Sequence, residues 1–225
     1  MSGKEQKCDR ARTVTAAAVN AFIVILTAYG MSRFFTVGGD GNMPVMNTQC
    51  FQYFTVDSNL LVALASLLLL IGQVRRLRGG PVPAKALLLL KAVGTTAVTV
   101  TFFTVFCFLG FLYGFQSMIE GVNLYMHLIT PLLAMLSFVL LETQPPLRFR
   151  STLLGLLPTL LYGSVYMTMV VALKRWYDFY GFNMRGRWVF SAVMMLLGTW
   201  LLSLALWALR RFFSGKRKQE SAGMV

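Results

Sequence analysis

Six apolar runs of membrane-crossing length divide this chain, and no other feature restricts its fold as strongly. They fall at about 13–31, 51–74, 86–113, 122–141, 153–173 and 188–213. A hydrocarbon core about 30 Å thick is crossed by about 20 apolar residues of helix, and backbone groups left unpaired in lipid are costly, so runs of this length fold as helices. Charged residues make up 13% of the 225 residues, against about 25% in a typical soluble domain. The expected class is an all-α polytopic membrane protein, a single domain over 1–225 built as a bundle of six transmembrane helices. No repeat of 20 to 50 residues, phosphate-binding loop or dinucleotide fingerprint interrupts that pattern.

The positive charge is distributed by side. Of 21 Lys and Arg, fifteen fall in four stretches, 1–12, 75–85, 148–150 and 210–218, and five on the alternate connections, at Arg33, Lys174, Arg175, Arg185 and Arg187. The positive-inside rule then puts both termini in the cytoplasm and makes 214–225 a basic cytoplasmic tail. The charged start before the first run resembles a signal peptide, but five further spans follow without a soluble domain to export, so the run is read as a retained first helix. A net charge of +13 invites a nucleic-acid reading. The basic residues flank apolar spans instead of forming one face, so no nucleic acid is expected, and anionic lipid is the expected partner of the inner loops. The remaining cation, Lys91, is expected to snorkel its amine to the cytoplasmic interface. The sequence sets no oligomeric state.

Three cysteines, Cys8, Cys50 and Cys107, fall inside, outside and within a helix on this topology, so they are expected as unpaired thiols. One histidine and no metal-ligand spacing leave no metal site and no cofactor to expect. Among the connections, Gly38, Gly39, Gly41 and Pro44 mark an outer loop, and Pro145 and Pro146 an inner turn. Asn20 and Tyr29 in the first span need partners in the bundle, and the threonines from Thr95 to Thr104 read as a packing surface. Pro158 is expected to kink the fifth span and free a carbonyl. Trp176, Tyr177, Phe179, Tyr180 and Phe182 form an aromatic outer loop, read as an interfacial belt or, more sharply, as a lid over a lipid-facing cleft.

Polar residues cluster at the mouth of the second span, in Cys50-Phe-Gln-Tyr-Phe-Thr-Val-Asp-Ser-Asn59. On a helix Thr55, Ser58 and Asn59 share a face, while Asp57 points roughly 160° to 200° from Thr55 and Asn59. The second and fourth spans both start on the outer side. Thr55 is four residues in from one start and His127 five in from the other, so both are expected roughly 6 to 8 Å below the interface. A desolvated imidazole is expected to be neutral and able to accept a proton, and a threonine hydroxyl beside it becomes a candidate nucleophile. Asn59 is a candidate oxyanion donor, with Ser58 and Asp57 as supporting candidates, although asparagines in membranes more often join helices and an interfacial aspartate is often merely hydrated.

The run from Phe51 to Leu61, FQYFTVDSNLL, resembles the F-x-Y-F-T-x-x-S-N-L-L signature of a bacterial family of small six-helix integral membrane proteins. More distantly, the chain resembles the androgen-induced family of membrane hydrolases, which cleave fatty acid esters of hydroxy fatty acids with an intramembrane threonine and histidine. In that resemblance Thr55 matches the threonine and His127, in Met126-His127 with Pro131 following, matches the histidine. It implies a lipid-ester hydrolase in which His127 takes the Thr55 proton and Thr55 attacks the acyl carbonyl of a membrane lipid. No third orienting residue is evident. The rival from another class is a non-catalytic six-helix protein, a small transporter or a lipid-binding scaffold.

Overall fold

The computed structural model describes residues 3–37, 47–142 and 147–222. The described chain is helical, and six of its helices are long and apolar enough to cross a membrane. They are α1 (Gly3–Thr36), α2 (Phe54–Leu77), α3 (Lys85–Tyr113), α4 (Leu124–Leu141), α5 (Phe149–Ala172) and α6 (Trp188–Ala222). The bounds of α2, α3, α4 and α5 agree with the apolar runs to within a few residues, as does the start of α6. α1 extends back through the basic arm and on to Thr36, and α6 runs on through most of the segment read as a tail, the membrane-length part being Trp188–Gly215. Charged residues there end the apolar run without ending the helix, since Lys, Arg, Glu and Gln are good helix formers. The turn formers Gly38, Gly39, Gly41, Pro44, Pro145 and Pro146 lie outside the described residues.

α3 is the hub. It packs on α2, α4, α5 and α6, while α1 closes against α2 and α4. The α2–α3 crossing is close because of Gly94: a Cβ there would sit 2.9 Å from the Val62 Cα and 3.1 Å from its nitrogen. Backbone atoms have no rotamer with which to yield, and small residues at such crossings are what lets membrane helices approach. Gly94→Val is therefore expected to destabilise the bundle by about 1–3 kcal/mol, measured by unfolding in mixed micelles. The threonines beside it do pack: Thr95, Thr96, Thr99 and Thr101 are buried.

Prolines set the local geometry of two spans. Pro131 has no N–H for the carbonyl of His127 four residues back, and the preceding turns Leu124–Ile129 widen to π geometry around the histidine. Pro158 stands where α5 changes from a tighter 3₁₀ stretch, Phe149–Leu156, to α geometry.

The end of the bundle away from Thr55 holds a buried polar network that changes the fate expected for Lys91. Its side chain has no exposed surface and does not snorkel. Nζ donates to Asn20 Oδ1 (2.8 Å) and Ser66 Oγ (2.6 Å). The Asn20 amide donates onward to Glu142 Oε1 (2.9 Å) and Gln73 Oε1 (3.2 Å), and Glu142 also accepts from Gln73 (3.0 Å) and Ser137 (3.1 Å). Asn20 thus has the partners it needs, whereas Tyr29 is exposed and meets Tyr125 edge to face at 5.5 Å. Nearby, Arg210 donates to the Phe138 carbonyl (2.6 Å), and Arg12 to those of Leu140 and Leu141.

Candidate active site

Thr55 is the second residue of α2, and that position decides what its hydroxyl does. Elsewhere in the chain Thr13, Thr96, Thr99, Thr168 and Thr199 each bond the carbonyl four residues back. At Thr55 the preceding turn is the separate 3₁₀ stretch Asn47–Gln52, so no helical carbonyl lies behind it. Its Oγ1 reaches across to α4 instead and meets His127 Nε2 at 3.3 Å. The two residues brought to equal depth by counting along their spans are in contact. Both are buried, Thr55 with 6% of its surface exposed and His127 with 3%.

The other ring nitrogen fixes the proton inventory. His127 Nδ1 lies 2.7 Å from the Met118 carbonyl, which can only accept, so Nδ1 carries the hydrogen. Nε2 is then the bare nitrogen, and the Thr55 hydroxyl donates to it. Met118 closes the short helix Phe115–Met118, which folds back after α3 because Gly114 adopts φ +86°, a conformation other residues avoid. Asn123 Nδ2 pins this turn through the Ser117 carbonyl at 2.9 Å. The orienting third group is a main-chain carbonyl, which no scan for side-chain partners reveals.

The supporting candidates divide. Asn59 donates both amide hydrogens to carbonyls, of Thr55 (2.7 Å) and Met126 (3.0 Å), and so ties α2 to α4 beside the dyad instead of pointing a donor at it. Ser58 bonds the Thr55 carbonyl (3.1 Å) and Thr101 Oγ1 (2.9 Å), fixing α2 against α3. Asp57 is half-buried on another face, in a groove with Phe51, Tyr162 and Trp176. Cys50, the nearby thiol, is buried, and burial together with the Asp57 carboxylate raises its pKa, which keeps it protonated and a poor rival nucleophile. All three cysteines are free, and among the described residues no group of three His, Cys, Asp or Glu is placed to hold a metal.

Thr55 forms part of the wall of a cavity of about 160 Å³ between α2, α3, α5 and α6. The lining is mostly apolar, with Val100, Val105, Leu109, Met167 and Met195 typical, and His127 stands behind Thr55. The aromatic loop from Trp176 to Phe182 folds over this space. Tyr166 Oη donates to Asp178 Oδ1 (2.7 Å), whose carboxylate also accepts from the Phe182 and Asn183 amides, each at 2.9 Å. That clamp turns Tyr180 and Phe182 into the cavity wall, and Tyr180 Oη accepts the Phe54 N–H at 3.0 Å. Tyr180 is buried and stacks beside Phe182 with ring centroids 5.3 Å apart. The loop is thus a cover over the cavity as well as an aromatic surface, and Tyr180 is the site residue that composition alone leaves undistinguished among its neighbours.

Comparison of this chain with protein-family models, with curated proteins and with solved structures finds no match in any of the three.

Proposed function

We propose that this protein is an integral membrane lipid-ester hydrolase in which Thr55 is the nucleophile and His127 the general base. One observation carries the reading. A buried hydroxyl, an imidazole and a carbonyl stand in line at 3.3 and 2.7 Å, with the hydroxyl on the wall of an apolar cavity. The hydroxyl-to-nitrogen distance is long for an optimal hydrogen bond, as catalytic contacts commonly are before substrate tightens them. The resemblance of the Phe51–Leu61 motif and of Met126-His127 to six-helix membrane proteins and intramembrane threonine hydrolases supports the same assignment. What separates this contact from a plain tie between helices is that the hydroxyl it polarises lines an apolar cavity.

In the proposed reaction His127 Nε2 takes the hydroxyl proton as Thr55 Oγ1 bonds the acyl carbon. The tetrahedral adduct collapses, and the alcohol leaves with the proton from Nε2. Water then adds to the acyl-threonine with Nε2 again accepting a proton, the Oγ1–acyl bond breaks as Nε2 returns that proton to Oγ1, and a fatty acid and the free threonine result. Through both halves Nδ1–H stays on the Met118 carbonyl, which holds the ring in register and stabilises the transient imidazolium. The substrate class is an acyl ester entering from the membrane, such as a fatty acid ester of a hydroxy fatty acid. The basic distribution supports cytoplasmic termini, an outer-leaflet site and inner loops resting on anionic lipid.

A long-chain fluorophosphonate, which captures activated hydroxyl nucleophiles, tests the assignment. The purified protein is expected to be labelled on the peptide containing Thr55, with Thr55→Ala unlabelled and His127→Ala labelled at least about 10²-fold more slowly. Labelling of Thr55→Ala equal to wild type overturns the assignment.

A further inference from the structure

An acyl-transfer site needs donors for the oxygen that becomes negative, and the dyad does not supply them. Asn59 has both amide hydrogens committed to carbonyls, so the donors must come from elsewhere in the cavity wall. Two groups there have a hydrogen to give. The first is the backbone N–H of Thr55. At the start of α2 the Val56 and Asp57 amides turn to the Tyr53 carbonyl and the Phe54 amide to Tyr180, while the Thr55 amide has no acceptor among the described residues. It is a first-turn amide at the positive end of the helix dipole.

The second is the Tyr180 hydroxyl. Its oxygen accepts from Phe54 N–H at 3.0 Å, which leaves its own hydrogen to give. The neighbouring Tyr162 gives its own hydrogen to the Gln52 carbonyl at 2.6 Å, so its oxygen can only accept from Tyr180, and the Tyr180 hydrogen rests there until a stronger acceptor, the developing oxyanion, takes it over. The Tyr180 side chain is more than nine-tenths buried and shares the cavity wall with Thr55. Burial above all, with the Asp57 carboxylate adding to it, holds its phenol above the ordinary tyrosine range, so it remains a proton-bearing donor at any physiological pH. Accepting a hydrogen bond from a helix amide also polarises the O–H, since bonds in a chain strengthen one another.

We infer that the Thr55 N–H and the Tyr180 O–H together form the oxyanion site, receiving the carbonyl oxygen as Oγ1 bonds the acyl carbon and the carbonyl electron pair moves onto oxygen. This rests on the hydrolase reading above and adds Tyr180 to it as a catalytic residue. The aromatic loop then has a chemical role, because the Asp178 clamp holds a donor over the reacting carbon and an ester is activated only under a closed loop. The nucleophile's own amide serves because Thr55 lies at a helix start, the same position that frees its hydroxyl.

The test uses the full-length chain in lipid nanodiscs with p-nitrophenyl decanoate. Tyr180→Phe keeps the ring and is expected to lower kcat by about 10²-fold with KM changed less than about 2-fold. A decyl trifluoromethyl ketone, which forms a tetrahedral adduct with the nucleophile, is expected to lose affinity by a similar factor, and an uncleavable decyl ether to bind as in wild type. A kcat within about 3-fold of wild type, or equal loss for ketone and ether, overturns the inference and assigns Tyr180 to packing. If Thr55→Ala is inert while Tyr180→Phe is fully active, the dyad stands and the oxyanion site falls. Wild-type turnover no faster than Thr55→Ala overturns both. Should Tyr180→Phe not fold, fluorotyrosines at position 180 retain ring and hydroxyl while raising its acidity. A kcat that does not vary along that series also overturns the inference.

Discussion

Thr55→Ala and His127→Ala, assayed separately and together on p-nitrophenyl decanoate, are expected each to lower kcat by about 10⁴-fold or more, with the double variant no slower than the worse of the two. Nucleophile and base act in one proton transfer, so removing either removes the covalent route, and a second deletion has nothing left to remove. KM is expected to change little, because the apolar wall that holds the acyl chain is untouched. Thr55→Ser is the informative partner. It keeps the hydroxyl and loses the methyl that restricts χ1, so it is expected to retain activity reduced by about 10-fold or less. Additive losses in the double variant, or a Thr55→Ala enzyme with wild-type kcat, would remove the dyad.

How much of this is legible in the sequence follows from which interactions run along a helix and which run across the bundle. Span number is a property of single helices and the apolar runs mark it, whereas helix length outruns them at α1 and α6, where charged helix formers continue the turn. The matching depth of Thr55 and His127 comes from counting residues from two outer boundaries, which requires only a regular helical rise. The orienting carbonyl of Met118 depends on a chain reversal at Gly114, and every residue carries a carbonyl, so no residue type marks it. Tyr180 lies among five aromatics that composition treats alike. Only the Asp178 clamp distinguishes the ring turned inward from Tyr177, which is 81% exposed. Asn59 reads in sequence as either an oxyanion donor or a tie between helices, and the Met126 carbonyl claims its second hydrogen for the tie. Lys91 shows the limit most clearly. Near an inner helix end, snorkelling is the cheapest fate for an isolated lysine, but Asn20, Ser66 and Glu142 come from three other parts of the chain, and a linear reading cannot assemble them.

That network sets the second large effect. Glu142→Gln is expected to cost about 3–5 kcal/mol of stability, measured by denaturant unfolding in mixed micelles, because it removes an anion whose charge acts on both Lys91 and Arg210 and leaves two buried cations without it. Lys91→Met is expected to cost less. The carboxylate it leaves behind keeps its bonds from Asn20, Gln73 and Ser137 and still faces Arg210, while Asn20 Oδ1 and Ser66 Oγ lose a donor. Lys91→Met combined with Glu142→Gln is expected to recover part of the larger loss, since one stranded cation goes with its partner, giving a coupling of about 0.5–3 kcal/mol. Ser66 lies eleven residues along α2 from Thr55, roughly 16 Å down the axis, so the folded fraction of each variant is expected to keep its kcat. Equal stability of Glu142→Gln and wild type would mean that water already reaches these charges. A fall in kcat per folded molecule would mean instead that the Lys91–Glu142 network sets the α2 register on which the Thr55–His127 contact depends.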